Sequence, residues 1–227
     1  LFLNVLFIAA TTITSVAIAI MLAEISNKWV KKITQSIVIL PHFMSWTIVS
    51  MLSVAILSAN GVVNQLITMV GGKTIEFYNT PSVWPAILVI LKVWQGAGFG
   101  SIVYLATITG IDASIYEAAA VDGASKTQCI FKVTLPMLKN TIIMLTIMSV
   151  GKIFNGDFGM IYAMVGSNSI LYPTTDVIDT YLFRQLLENP SMGQTAAVGL
   201  IQSILGFGFV VLCNKVANKW SPESALF

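Results

Sequence analysis

The sequence predicts an all-α polytopic membrane protein, a bundle of helices that cross a lipid bilayer. Of its 227 residues, 56% are hydrophobic and only 10% are charged, whereas soluble domains carry about 25% charged residues. The mean hydropathy is +0.84. This composition excludes a disordered segment, a basic nucleic-acid binder and a conventional soluble enzyme. The formal net charge of +2 is too small to indicate a polyanionic partner.

Five apolar stretches are long enough to cross a bilayer, which takes about 20 residues of helix. They lie at roughly 1–23, 33–58, 83–109, 137–165 and 191–213. None shows the alternation of a membrane strand, and lipid cannot satisfy bare backbone groups, so a helical bundle is expected. The sequence begins with Leu1 inside an apolar run, and a missing N-terminal span upstream of it is therefore expected.

Basic residues mark one side of the predicted bundle. Three alternate segments, 24–32, 110–139 and the C-terminal tail, carry eight of the twelve Lys and Arg residues. The positive-inside rule places these segments, and with them the C-terminus, in the cytoplasm. On the opposite side, 62–70 and 174–189 are interpreted as amphipathic helices. They either rest on the membrane surface or offer a docking surface to an extracellular partner.

The cytoplasmic loop 110–136 is the least lipid-like part of the sequence. Ser114 and Glu117 form the pattern of a capping box, and Gly123 can supply the left-handed turn that ends the helix begun there. The start pattern recurs at Ser125. The loop is therefore predicted to hold two short helices joined by a bend, which together project from the membrane.

Small residues and carboxylates give this loop the composition of a docking element. Ala118, Ala119 and Ala124 allow another backbone to approach closely, and Glu117 and Asp122 supply charges that can meet basic groups of a partner. The local balance is acidic, so anionic lipid is a poor explanation. The loop is predicted to sit in a cleft of another protein.

The loop resembles the EAA loop of binding-protein-dependent (type I) ABC importer permeases. The residues that carry the resemblance are Glu117, Ala118, Ala119, Asp122, Gly123, Ala124, Phe131, Leu135 and Pro136. In that family the loop docks into a groove of a cytoplasmic ATPase, and Glu117 and Gly123 are hypothesised to transmit its motion. Four further stretches resemble the oligosaccharide subgroup of the family, namely 40–43, 94–98, 176–181 and 222–227.

This resemblance implies a permease subunit of a carbohydrate importer in a bacterial plasma membrane, which forms half of the translocation path. It implies three partners besides membrane lipid: a cytoplasmic ABC ATPase dimer, a second homologous permease and an extracellular sugar-binding lipoprotein. The chain itself is expected to catalyse no reaction and to bind no cofactor, since ATP and Mg belong to the ATPase. The identity of the sugar and of the second permease stays open.

Lys152 and Asp157 are charged residues predicted within a single span, where charges are costly and mark function. Together with Phe154, Asn155 and Phe158, these two residues could line the sugar path. Asn155 and Asp157 could then form hydrogen bonds with sugar hydroxyls, and Phe154 or Phe158 could stack on pyranose faces. A structural ion pair with another span or with the second permease is an equal alternative. The alternative function is an ion-coupled transporter or channel, in which Lys152 and Asp157 would serve as a proton or ion relay.

Gln95 is a further candidate for the path, although its glycine-rich surroundings favour tight helix packing. Lys92 could pair across the bundle or snorkel. His42 has no His or Cys neighbour with which to bind a metal, and Cys129 and Cys213 predict neither a disulfide nor a zinc site. The sequence holds no motif of an intramembrane enzyme.

Overall fold

The computed structural model describes residues 1–188 and 192–220, and within these ranges every regular element is a helix. Four short three-ten turns and one π-helical turn, Ile130–Thr134, accompany the α-helices. The α-helices are α1 (Phe2–Ala23), α2 (Lys28–Ile39), α3 (Trp46–Leu57), α4 (Val62–Met69), α5 (Trp84–Thr109), α6 (Ala113–Val121), α7 (Lys126–Cys129), α8 (Leu135–Val150), α9 (Phe158–Val165), α10 (Tyr172–Thr175), α11 (Ile178–Glu188) and α12 (Met192–Trp220).

Five segments of the described chain are long and apolar enough to cross a membrane. In the most apolar window of each segment, at most 28% of the residues are buried in the isolated chain, as expected for helices that contact lipid or another subunit. The predicted all-α class and the number of apolar segments are therefore confirmed. The segments are Phe2–Ala23, Trp46–Met69, Pro81–Thr109, Lys126–Val150 and Gly193–Lys219.

The chain divides into two compact units, and each is assembled from three distant stretches of sequence. The first unit contains Leu1–Leu6, Phe43–Leu91 and Lys152–Leu205. The second contains Phe7–His42, Lys92–Gly151 and the described part of the stretch from Gly206 onward. The candidate docking loop 110–136 thus lies in the second unit.

A cluster of buried apolar residues forms the core of the second unit. It joins α1, α5 and the start of α8, so the helices that enter and leave the loop 110–136 are packed together. This packing fixes both ends of the loop. Its buried members are Val16, Ala19, Leu22, Tyr104, Leu105, Ile108 and Leu138.

The structure interrupts the helix that the sequence predicts over 33–58. Between α2 and α3 lies a three-ten turn that contains Pro41, which has no N–H to donate. Ser45 then caps α3, because its hydroxyl accepts the Ile48 N–H at 3.3 Å. The apolar segment in this region is consequently Trp46–Met69, which includes α4.

A second interruption falls within the predicted span 137–165. The helix α8 ends at Val150, α9 begins at Phe158, and the residues between them are not helical. Lys152 and Asp157 therefore do not share a helix, and the prediction of a single span containing both is wrong. The interrupted segment 151–157 contains two glycines, Gly151 and Gly156.

The loop is also built differently from the prediction of two short helices set apart from the next span. The helix α7, the π-helical turn and α8 form one helical run, Lys126–Val150. In the π-helical turn the Leu135 N–H donates to the Ile130 carbonyl, five residues back. The wider turn precedes Pro136, whose ring has no N–H and would clash with a carbonyl in a regular α-helix.

Gly98 in α5 lies against the backbone of α2, and this contact generates a first prediction. A Cβ at Gly98 would lie 2.0 Å from the Val38 carbonyl oxygen. Gly98→Ala is expected to lower the free energy of unfolding by about 1–3 kcal/mol, the usual cost of overpacking. Gly96→Ala is the control, because among the described residues a Cβ there meets only Thr11 Cγ2, at 3.7 Å. The melting temperatures of both variants are measured by thermal unfolding in detergent. Equal melting temperatures would contradict the prediction that the close approach of α5 and α2 requires glycine at position 98.

Candidate functional site

The loop 110–136 begins with α6, and Asp112 rather than Ser114 caps this helix. The Asp112 carboxylate accepts the Ser114 backbone N–H at 2.9 Å. This hydrogen bond holds the pKa of the exposed Asp112 carboxyl below its usual value. The predicted capping box of Ser114 and Glu117 is therefore wrong, because the aspartate already satisfies the start of the helix two residues earlier.

The helix α6 ends in a Schellman motif at Gly123, as the sequence predicts. Gly123 has a φ of 75°, in the left-handed region. The Ala124 N–H donates to the Ala119 carbonyl at 2.9 Å, and the Gly123 N–H donates to the Ala120 carbonyl at 3.0 Å. Only glycine adopts this backbone conformation at low cost. The bend in the loop is therefore built into the chain at this position.

The helical run that follows starts at the predicted second cap. Ser125 Oγ accepts the Gln128 N–H at 3.3 Å, and Gln128 Oε1 accepts the Ser125 N–H at 2.7 Å. These two bonds form a capping box. The start of the run is thereby fixed directly after the bend, and no flexible linker separates α6 from the run.

A side-chain hydrogen bond that the sequence did not predict also joins α6 to the π-helical turn. Tyr116 Oη and Thr134 Oγ1 lie 3.0 Å apart. The two residues are 18 positions apart in the sequence, and no spacing rule relates a residue of one helix to a residue beyond a bend. Neither residue is among the predicted site residues for this reason.

Most residues that carry the EAA resemblance lie on the surface of the loop. The exposed surface also includes two apolar side chains, Val121 at 88% and Phe131 at 65% exposure. Exposed apolar groups beside carboxylates and small residues are typical of protein-docking surfaces. Glu117, Ala118, Asp122, Gly123, Phe131 and Pro136 are exposed, and Ala119, Ala124 and Leu135 are half-buried.

In the first unit, a side chain of α1 holds the interrupted segment 151–157. Asn4 Nδ2 donates to the Ile153 carbonyl at 2.7 Å and lies 3.2 Å from the Asn155 carbonyl oxygen. Asn4 is buried, at 7% exposure. A buried carbonyl left without a donor costs about 1–3 kcal/mol. Asn4 thus replaces helix hydrogen bonds that this segment lacks.

Gln202 and Asp179 complete this arrangement, which we name the Asn4–Asp179–Gln202 network. Gln202 Nε2 donates to the Phe154 carbonyl at 2.9 Å and to Asp179 Oδ1 at 3.1 Å. Asp179 Oδ2 in turn accepts the Gly156 N–H. A Cβ at Gly156 would lie 2.4 Å from Val177 Cγ2. Only glycine therefore permits this close approach.

The three residues of the network are not among the sequence-predicted site residues. They come from α1, α11 and α12, and their partners lie between 23 and 151 positions away. The only available signal is the presence of Asn4 and Gln202 as polar residues within apolar runs. Such a signal marks a polar contact but does not identify its partner.

Two predicted path residues have structural roles in α9. Asp157 Oδ1 accepts the Met160 N–H at 3.3 Å and so caps this helix. The Phe158 ring stacks on Tyr162, with ring centroids 5.2 Å apart, and lies 5.1 Å from the Phe183 ring. Asp157 and Phe158 therefore shape the end of the interrupted segment.

Lys152 and Asn155 are exposed on the interrupted segment, and Phe154 is half-buried. Non-helical backbone at membrane depth occurs only where protein covers it or where it lines a water-filled cavity. Lys152 and Asn155 thus form the exposed polar side of this segment. Gln95 belongs to the other unit, where it is half-buried on α5.

The two predicted amphipathic segments differ in their outcome. The segment 62–70 is confirmed as a helix, α4. The segment 174–189 is divided between α10 and α11, and Asn189 lies outside the described residues. Near this division Arg184 donates two hydrogen bonds to the Asp176 carboxylate, and these bonds raise the pKa of Arg184. The Arg184 guanidinium also lies 3.9 Å from the Tyr172 ring centroid. The 222–227 motif also lies outside the described residues.

Residues 15–220 match the family described as binding-protein-dependent transport system inner membrane component. The polygalacturonan/rhamnogalacturonan transport system permease protein YteP of Bacillus subtilis is 32% identical over 209 residues, which are 92% of this chain and 64% of that protein. Protein LplB of the same organism is 31% identical over 207 residues, 91% of this chain and 64% of that protein. This chain thus spans less than two thirds of either relative's length.

Two solved structures have a similar fold. A chain of a bacterial alginate ABC transporter, in complex with an alginate pentasaccharide-bound periplasmic protein, superposes with a TM-score of 0.91 at 33% identity. The match covers 97% of this chain and 76% of that chain. A bacterial ABC transporter involved in the import of the acidic polysaccharide alginate gives a TM-score of 0.88 at 32% identity, over 96% of this chain and 78% of that chain.

The Asn4–Asp179–Gln202 network generates a second prediction. Gln202→Leu is expected to lower the free energy of unfolding by about 1–3 kcal/mol, because the Phe154 carbonyl and Asp179 lose their shared donor. Ser203→Ala is the control, since the hydroxyl of this exposed neighbour donates to the Gly199 carbonyl of its own helix. Thermal unfolding in detergent compares the variants. A Gln202→Leu protein as stable as the Ser203→Ala protein would disprove the stabilising role.

Proposed function

Because the chain belongs to the family of binding-protein-dependent transport system inner membrane components, we propose that it is one permease subunit of an ATP-driven oligosaccharide importer. The family and the five apolar segments make it a multi-pass inner-membrane protein. A proton or ion relay through Lys152 and Asp157 is not favoured, since Asp157 caps α9 and the relatives are ABC transporter components.

The observation that carries this proposal is the construction of the loop 110–136. The helix α6 presents Glu117 and Asp122 on an exposed surface rich in small residues. Its end is joined through Gly123 to a capped helical run that continues into α8. A force applied to α6 is therefore delivered directly to an apolar, membrane-spanning segment. This arrangement supports docking of the loop to a cytoplasmic ABC ATPase dimer.

The remaining partners follow from the same architecture and from the relatives. A second homologous permease would complete the translocation path of which this chain forms half. The similar alginate transporter is in complex with a periplasmic protein that holds an oligosaccharide, and this supports an extracellular sugar-binding lipoprotein as the supplier of cargo. The lysine distribution supports a cytoplasmic location for the loop and the C-terminus.

We further propose that the cargo is an acidic oligosaccharide. The relative from Bacillus subtilis is named for polygalacturonan and rhamnogalacturonan, and alginate is an acidic polysaccharide. Galacturonate units carry carboxylates, and Lys152 presents an ammonium group on the exposed side of the interrupted segment. Lys152 would pair with a sugar carboxylate while Asn155 bonds hydroxyl groups. This part of the path would be shaped by Phe154, Asp157 and Phe158. Gln95 is a further candidate for a residue that lines the path.

Glu117→Lys is expected to lower cargo uptake about tenfold, equivalent to ~1.4 kcal/mol, because the reversed charge repels the basic groups of the ATPase. Uptake and ATP hydrolysis are measured together in proteoliposomes that contain the complete importer. Gly123→Pro is expected to act similarly, since proline cannot adopt a φ of 75°. Glu76→Lys is the control, with the same charge change at an exposed carboxylate of the first unit. Coupled uptake at the wild-type rate by Glu117→Lys would contradict the proposal.

Lys152→Gln is expected to lower uptake of trigalacturonate about tenfold and to leave uptake of a neutral trisaccharide nearly unchanged. The physical reason is the loss of an ammonium–carboxylate pair, which only the acidic cargo can form. Lys73→Gln, at an exposed position in the first unit, is the control. Radiolabelled uptake of both cargoes provides the comparison. Equal losses for the two cargoes, or unchanged trigalacturonate uptake, would refute the role of Lys152.

A further inference from the structure

A hydrogen bond between Tyr116 and Thr134 links the two helical parts of the loop 110–136. Tyr116 is half-buried on α6, directly before Glu117. Thr134 is buried, at 4% exposure, and is the last residue of the π-helical turn. Their hydroxyl oxygens lie 3.0 Å apart. This bond connects α6 to the base of α8 without passing through the bend at Gly123.

We infer that Tyr116 and Thr134 are positioning residues whose hydrogen bond passes the movement of α6 to the helical run Lys126–Val150. This inference rests on the proposed function, because it assumes that an ATPase moves α6. It adds a residue pair to the Glu117 and Gly123 positions that the sequence suggests. Neither Tyr116 nor Thr134 needs to contact nucleotide or cargo.

The bend at Gly123 is held by local backbone bonds, the Schellman pair and the capping box that follows it. Gly123 is exposed, and a Cβ there would meet no atom within 4 Å among the described residues. These bonds all lie at one point of the corner between α6 and the run. A second attachment away from that point would resist rotation of α6 against α8. The Tyr116–Thr134 bond supplies that attachment.

Space next to α6 makes this second attachment more important. Tyr116 and Thr134 form part of the wall of a cleft of about 290 Å³ in the second unit. On this side the cleft, rather than a packed neighbour, borders Tyr116. The hydrogen bond therefore adds a restraint on α6 where the cleft leaves space. The other walls of the cleft include Ile20, Glu24, Lys31 and Thr109.

The bond also reaches the one part of the run that is not regular α-helix. Thr134 Oγ1 lies 3.5 Å from the carbonyl oxygen of Cys129, the last residue of α7. Turns of the π-helical type are rare and recur at functional sites. Tyr116 thus engages the run at this irregular turn. A movement of α6 would act there first and then on α8.

The test uses the complete importer, reconstituted with its ATPase and second permease in proteoliposomes. Tyr116→Phe removes one hydroxyl, and Thr134→Val removes the other while keeping the side-chain shape. Each is expected to lower the cargo imported per ATP hydrolysed about threefold, the effect of one neutral hydrogen bond on an equilibrium. The rate of ATP hydrolysis, the amount of permease in the membrane and the melting temperature are expected to stay near wild type.

Two further variants separate coupling from a general loss of hydroxyl groups. Thr134→Ser keeps the hydroxyl and is expected to retain the wild-type coupling ratio. Thr141→Val removes a hydroxyl that lies 3.4 Å from that of Thr107, in the same unit but outside the loop, and is expected to leave the ratio unchanged. The double variant Tyr116→Phe/Thr134→Val is expected to be no worse than either single variant, because both remove the same bond.

Three results would overturn the inference: a wild-type coupling ratio in Tyr116→Phe and Thr134→Val, an equal loss in Thr141→Val, or a loss in Thr134→Ser that matches Thr134→Val. Failure of the proposed function gives a different result. Uptake by the wild-type chain without ATP hydrolysis would reject the ABC permease assignment, and the positioning role would be rejected with it. ATP-dependent uptake with unaffected hydroxyl variants would reject only the positioning role.

Discussion

The requirement that every buried backbone polar group find a partner is the constraint on which this structure depends. Regular helices meet it internally, but the segment 151–157 does not. Three side chains from three helices supply the missing bonds, two amides to the carbonyls and one carboxylate to the Gly156 N–H. The interruption is therefore a built feature of the unit. It frees Lys152 and Asn155 from the helix and leaves both exposed.

The same constraint explains how the cytoplasmic loop can be both bent and stiff. A bend requires backbone groups to leave the helix pattern, and here each is satisfied locally, by the Schellman bonds at Gly123 and the capping box at Ser125. The π-helical turn accommodates Pro136 without ending the run. The loop consequently holds a defined shape although most of its surface is exposed. A defined shape is what a surface needs if it is to carry mechanical force.

Sequence patterns predicted those features that depend on neighbours along the chain. Composition gave the membrane class, apolar length gave five segments, and Gly123 and Ser125 were recognised because turns and caps involve adjacent residues. The interruptions at Pro41 and at 151–157 were missed, because hydropathy continues across them while helix geometry does not. The Asn4–Asp179–Gln202 network could not be predicted, since its members come from opposite ends of the sequence. The cap at Asp112 was missed because Ser114 offered the same pattern two residues later.

The distance along the chain between Asn4 and Gln202 has a consequence for biosynthesis. During translation Asn4 emerges first and the segment 151–157 much later, and Gln202 follows on the last described helix. Until α12 enters the bilayer, the Phe154 carbonyl and Asp179 lack the donor that Gln202 supplies. Asn4 and Asp179 would already bond the segment 151–157 in a nascent chain halted before α12. Synthesis of α12 then supplies the donor that completes the network.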